Sequence, residues 1–322
     1  MHKVYDRWPQ LARNAYESDI EPVDFNDINH IVFAGMGGSG AIGDLFNSIL
    51  SKTSIHVSVV KGYLLPKTVD SKTLVVITSA SGNTIESITV LNSTKDLDCN
   101  VIGFSSGGKI EDICKKTCIN YRNIPLYANP RASFPIYVYS ILKVLNSIIP
   151  IDKKSIENSI SKMEILSETI STKNLSTSNP SLSLAKWITG IPVIYYPWGL
   201  QAAAIRFKNS IQENMKNHAM IEDVIEACHN GIVSWEQDSI VKPLLIRGTE
   251  DYIKTKERWE IVKKYFKENE IDFREIFSVD GSILSKIINM IYLLDFATIY
   301  GAIINKIDPN PVNSIDYIKE RL

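Results

Sequence analysis

A chain of 322 residues is long enough for two domains, each burying a core of its own. Hydrophobic residues at 44% and charged residues at 22% are ordinary globular proportions, which excludes a disordered or fibrous protein. With 35 Lys and Arg against 36 Asp and Glu the formal charge is -1, without the basic excess that a nucleic-acid backbone demands, so any anionic ligand must be held by local geometry.

The N-terminal stretch Met1-His2-Lys3-Val4-Tyr5-Asp6-Arg7-Trp8-Pro9 is polar and lacks the apolar centre of a signal peptide. Short apolar runs rich in Val and Ile follow, at His30 to Gly35, Ile55 to Val60, Thr73 to Thr78 and Asn100 to Phe104, and read as strands. Helical patterns starting near Ser39, Asn83 and Gly108 separate them, and this alternation predicts a parallel sheet wrapped by helices. Ala132 to Ile149 reads as a long apolar helix packed on that sheet.

From Ile151 a polar amphipathic helix leads into Ser171-Thr172-Lys173-Asn174-Leu175-Ser176-Thr177-Ser178-Asn179-Pro180, where side chains compete for backbone hydrogen bonds and Pro180 resets the helix. The expected division is therefore residues 1–150, a helix and linker over 151–180, and a second α/β layer over 181–322. In that layer Pro192 to Tyr196, Val241 to Arg247 and Phe273 to Val279 read as strands, and Leu200 to Asn217, Thr255 to Glu268 and Ser282 to Ile304 as helices. The last helix approaches membrane length, but a mid-bilayer Asp295 would cost about 2.5 to 3.5 kcal/mol, so it is expected to be buried in protein.

Four cysteines, Cys99, Cys114, Cys118 and Cys228, are too few and too irregular for a disulfide framework, and no C-x-x-C pair suggests zinc. A reducing cytoplasm is the expected location, with no membrane or nucleic-acid partner. The five histidines form no ligand cluster, and no metal site is expected.

Two loops carry the chemistry. Gly35-Met36-Gly37-Gly38-Ser39-Gly40 follows the first strand and opens a helix, satisfying G-x-G-x-x-G. A dinucleotide would further require an acidic residue after the second strand, where the chain instead has Lys61, a residue that could meet a 2′-phosphate; an NADP-dependent oxidoreductase stays open on these grounds. The third strand runs into Ser79-Ala80-Ser81-Gly82-Asn83-Thr84, three hydroxyls and a glycine before a helix N-terminus. Helix capping would employ one of those side chains, whereas the set suits one phosphate.

Together these loops resemble the sugar isomerase (SIS) domain. The stretch from Arg206 through Glu213, Asn214 and Lys216 to Ala219, then His229-Asn230 and Trp235, is similar to the bifunctional phosphoglucose/phosphomannose isomerases of archaea and some bacteria. Tyr5 to Pro9, Asp308 to Val312 and Ile318-Lys319 extend the likeness over nearly the whole chain. The resemblance implies two SIS-type αβα sandwich subdomains with parallel sheets, and a phosphate site at Gly38, Ser39, Ser79, Ser81 and Thr84. It further implies Glu213 as proton-transferring base, Arg131 beside the enediol(ate), His229 in ring opening and Lys319 near the reacting oxygens.

The activity implied is aldose–ketose isomerisation of glucose 6-phosphate or mannose 6-phosphate to fructose 6-phosphate, with no cofactor and no metal. A sugar-phosphate-sensing module without turnover is the rival reading, separated by Glu213, since a sensor needs no base. A homodimer with His229 donated in trans is also implied, and the Ser282 to Ile304 helix offers one way to bury its interface. The chain departs from the family pattern in having Gly231 where Glu is frequent, no proline near Ile225 and Glu226, and Asn310 where Thr is frequent.

Overall fold

The computed structural model describes residues 1–321 and divides into two compact units, Arg7–Ser161 and a second formed by residues 1–6 with the chain from Lys162 on. After α1 (His2–Tyr5), which belongs to the second unit, the first contains α2 (Trp8–Glu17), β1 (His30–Ala34), α3 (Gly37–Leu50), β2 (His56–Val60), β3 (Thr73–Ser79), α4 (Ile85–Ser93), β4 (Asn100–Ser105), α5 (Gly108–Lys116), β5 (Asn120–Asn123) and α6 (Phe134–Val144). All strand pairs are parallel, in the order β2-β1-β3-β4-β5.

Strands β1 and β3 are buried along their whole length, as continuous Val and Ile runs covered on both faces should be. Alternation sends Val32 and Ala34 into one core with Val90 and Leu91 of α4 and Ile110 and Cys114 of α5. Phe33, on the opposite face, stacks on Phe46 of α3 with ring centroids 4.8 Å apart. Edge strand β5, absent from the sequence expectation, has four polar residues that carry no apolar run. The helix expected over 132–149 is shorter, because the backbone leaves helical geometry at Leu145.

The division between the units falls within α7 (Lys153–Ile170). The second unit continues with α8 (Pro180–Trp187), β6 (Ile191–Tyr196), α9 (Gln201–Ser210), β7 (Met220–Asp223), α10 (Val224–Ala227), β8 (Val241–Arg247), α11 (Ile253–Glu268), β9 (Arg274–Phe277), α12 (Ile283–Ile304) and α13 (Asn313–Lys319). Its sheet is again parallel, in the order β7-β6-β8-β9. Val193, Tyr195 and Leu245 form one core with Trp259 and Phe266 of α11, while α8 and α9 pack on α12.

Helix α12 is buried from Leu284 to Ala302 except at Lys286, with Asn289 and Asp295 both at 0% exposure. Asp295 accepts from Arg206 Nη2 at 2.8 Å and Nε at 3.1 Å, and from Ser210 Oγ at 2.6 Å. A charge this deep persists because it is paired and its remaining lone pairs are bonded. The expectation that this helix could bury a dimer interface is corrected, since its own unit already covers it. Tyr292 Oη, on the same helix, donates to the Tyr5 carbonyl at 2.8 Å, and the Tyr5 ring meets Phe296 edge-on. Asp6 accepts from the Thr172 hydroxyl at 2.7 Å, which accounts for the first half of the N-terminal motif.

Candidate active site

In the first unit, the order β2-β1-β3 makes the chain leave the carboxyl ends of β1 and β3 in opposite directions, the switch point at which open α/β sheets bind ligands. Gly35 sits where the two strand ends converge: a Cβ there would lie 2.9 Å from the Thr78 carbonyl oxygen. Gly38 and Ser39 occupy the first turn of α3, half-buried, and the Ser39 N–H donates to the Met36 carbonyl at 3.0 Å.

The second loop is shaped by Gly82 and Asn83 together with two of its three hydroxyls. Gly82 has φ +67°, and a Cβ would come within 1.7 Å of the Gly107 carbonyl oxygen. The Asn83 side chain accepts from the Lys109 N–H at 3.1 Å and donates to the Ser81 carbonyl at 3.1 Å. Thr84 stands at the N-cap of α4 yet makes no side-chain capping bond. Its hydroxyl instead lies 2.8 Å from Ser79 Oγ, which also accepts from the Gly82 N–H at 3.2 Å, while Ser81 Oγ accepts from the Asn83 N–H at 3.2 Å. Capping thus leaves these hydroxyls unexplained, and an anion at the open first turn of α4 would take both them and the helix N–H groups.

Lys61 is not available to a 2′-phosphate. Its Nζ lies 2.7 and 2.5 Å from the two carboxylate oxygens of Asp44, whose side chain is only 11% exposed. That pairing removes the residue on which the dinucleotide reading depended.

Arg131 is buried in the turn that precedes α6. Asn129 organises the turn, its Oδ1 accepting from the Ala132 N–H at 2.9 Å, and the Ser133 hydroxyl donates to the Tyr127 and Asn129 carbonyls. Trp8 Nε1 donates to the Ala132 carbonyl at 2.9 Å, and the Arg7 guanidinium covers the Tyr127 ring and bonds its hydroxyl. The second half of the N-terminal motif therefore buttresses the Arg131 turn.

In the second unit the regular helix expected over 200–217 is replaced after Ser210 by a π-helical turn, Ile211–Met215, with Glu213 at its centre. The apolar stripe Leu200, Ala204, Phe207, Ile211 and Met215 is buried as expected, and Glu213 is half-buried. Asn214 Nδ2 donates to Thr298 Oγ1 of α12 at 2.8 Å, and Met215 fills the space left by Gly301, where a Cβ would come within 2.6 Å of the methionine Cε. Such π turns recur at functional sites, where they re-aim a side chain. Sequence reasoning missed the Arg206–Asp295–Ser210 support of this helix; an Asp inside an apolar helix was the available signal.

His229 is exposed, just beyond α10. Asp223 caps α10 by accepting from the N–H groups of Ile225 at 2.8 Å and Glu226 at 3.3 Å, so a proline at either position would delete a donor in use. A Cβ on Gly231 would lie 2.2 Å from Glu222 Oε1, so a larger residue there would displace the Glu222 carboxylate. Burial, with Glu226 nearby, raises the Glu222 carboxyl above its ordinary range. A cavity of about 420 Å³ lies beside this loop, lined in part by Tyr195, Glu222, Gly231 and Trp235. Lys319 ends α13, whose residues are all exposed, and Asn310 bonds Asp308 through both its backbone and side-chain nitrogens.

Residues 24–126 match the SIS domain, and residues 177–322 match the bacterial phospho-glucose isomerase C-terminal SIS domain. The bifunctional phosphoglucose/phosphomannose isomerase of Caldicellulosiruptor bescii is 32% identical over 98% of this chain and 96% of that protein. The protein of the same name from Aquifex aeolicus is 28% identical over 96% and 95%. A hypothetical protein of Thermus thermophilus, TT0462, shares the fold with a TM-score of 0.72 at 14% identity, covering 98% of this chain and 89% of that one. With a parallel SIS sheet carrying the hydroxyl loop and a relative of 32% identity along nearly its full length, the chain belongs to the bifunctional phosphoglucose/phosphomannose isomerases.

Proposed function

We propose that the chain interconverts glucose 6-phosphate or mannose 6-phosphate with fructose 6-phosphate through a cis-enediol(ate). The observation that carries this reading is the loop Ser79–Thr84, whose hydroxyls are left over from capping at an open helix N-terminus. Gly38, Ser39, Ser79, Ser81 and Thr84 hold the phosphate, and binding energy gained there positions the reacting carbons.

Glu213 removes the proton from C2 of the opened aldose as the C1 carbonyl becomes an enediolate oxygen. It then returns that proton to C1 while the proton on O2 passes to O1, so that O1 becomes the C1 hydroxyl and C2–O2 the ketone. Arg131 stabilises the developing oxyanion. His229, assisted by Lys319, moves a proton between O1 and the ring oxygen when the ring opens. Mannose 6-phosphate differs from glucose 6-phosphate only at C2, so rotation of the bound enediol about C2–C3 lets one base serve both. The reaction as written moves protons only and calls for neither metal nor cofactor.

The exposure of His229 in the single chain fits its donation to a second copy in a homodimer. Cys99, Cys114, Cys118 and Cys228 are free thiols, in keeping with a reducing cytoplasm. The deciding experiment is a coupled assay of fructose 6-phosphate formation from each aldose phosphate. Turnover of both is expected; tight phosphosugar binding with no turnover would make the chain a sensor instead.

A further inference from the structure

The π turn that carries Glu213 ends on a lysine whose backbone conformation suits glycine. Lys216 has φ +54° and ψ +35°, the left-handed region in which an L side chain is disfavoured and where helices commonly end on Gly or Asn. Its side chain has a use there that glycine could not supply. The Nζ donates to the carbonyl oxygen of Glu213 at 2.5 Å and to that of Pro311 at 2.6 Å.

The first bond grips the backbone of the residue proposed as the base. The second spans 95 residues of sequence to the stretch that leads into α13 and Lys319. A lysine that only capped a helix would need the first bond alone. The rest of the turn is already fixed from α12, through Asn214 on Thr298 and Met215 against Gly301. Lys216 therefore ties the backbone of the turn's one titratable residue to the C-terminal segment.

We infer that Lys216 is a positioning residue for the isomerisation, acting through Glu213 by bracketing its carbonyl to that of Pro311. The inference rests on Glu213 being the base. Through this bracket the turn and the segment leading to Lys319 keep one spacing.

The test exploits the backbone conformation. Lys216→Gly removes both hydrogen bonds while relieving the left-handed strain, so Tm should hold or rise. The kcat for fructose 6-phosphate formation should nevertheless fall by about 10- to 100-fold with KM changed less than about threefold, as misplacement of a catalytic group by a fraction of an ångström does. Lys216→Arg, which keeps a long cationic donor, should retain most of the activity. Glu213→Gln run in parallel separates the two readings. If Glu213→Gln isomerises normally, the base assignment fails and this inference falls with it. If Glu213→Gln is inactive but Lys216→Gly keeps wild-type kcat, or loses it only in step with a lower Tm, the base stands and the positioning role is wrong.

Discussion

The Arg206 guanidinium and the Asp295 carboxylate meet at 2.8 Å with side-chain exposures of 3% and 0%, joining the helix that leads into the Glu213 turn to the longest buried helix in the chain. Leaving either charge alone in that core is expected to cost about 3–5 kcal/mol, because an unpaired buried ion keeps its desolvation penalty. Arg206→Met and Asp295→Leu should each show this loss in urea unfolding. The double replacement Arg206→Met/Asp295→Leu should lose less than the sum of two singles; strict additivity would mean that the pair does not act as a unit.

Thr84 stands at a capping position without capping. Thr84→Ala should therefore change unfolding free energy by less than about 0.5 kcal/mol, against about 1 kcal/mol for loss of a working cap. In the same variant KM for the sugar phosphate should rise about tenfold, the loss of one hydrogen bond to a charged group. Ser79→Ala should act in the same direction. A stability loss with KM unmoved would return Thr84 to the role of a cap.

Glu222 and Gly231 share one volume. Gly231→Glu would bring a second carboxylate against the first, and a loss of about 1–3 kcal/mol is expected from crowding and like charge. Glu222→Gln should recover part of that loss. Burial raises the Glu222 carboxyl in the fold, so the folded state binds this proton more tightly than the unfolded chain does. Its contribution is present below the ordinary carboxyl value of 4.5 and is lost as pH rises through the higher folded value. Glu222→Gln should thus gain stability on the wild type between pH 4 and neutrality, measured as the difference in Tm; a difference that does not vary with pH would place the carboxylate in water.

If His229 is donated in trans, Glu213→Gln and His229→Ala homodimers are both inactive, yet a mixed dimer holds one intact site. Dissociating the two together and reassembling them should restore about a quarter of all sites, since about half the dimers are mixed and each has one good site of two. Mixed dimers confirmed by mass but without activity would place His229 in its own chain's site or outside the reaction.

What the sequence alone determined is what local patterning encodes. Buried Val and Ile runs mark β1, β3, β4, β6 and β8 because parallel strands covered on both faces carry no polar alternation. The glycine and serine loops are legible because their geometry depends on a few adjacent residues, as Gly82 shows. Edge strands β5 and β7 were not legible: half-exposed and four residues long, each needs only a neighbouring strand to pair with.

The tertiary structure decided the rest, and in each case the reason is a partner distant in sequence. Lys61 could meet a phosphate by its place after β2, but Asp44 holds it. The α12 helix, apolar enough to cross a membrane or face a second copy, is consumed by its own unit. Glu213 and Lys216, three apart, fit a regular helix with a surface ion pair as well as they fit a π turn. The choice came from Thr298, Gly301 and Pro311, more than eighty residues away, whose packing and carbonyl groups no local pattern reports.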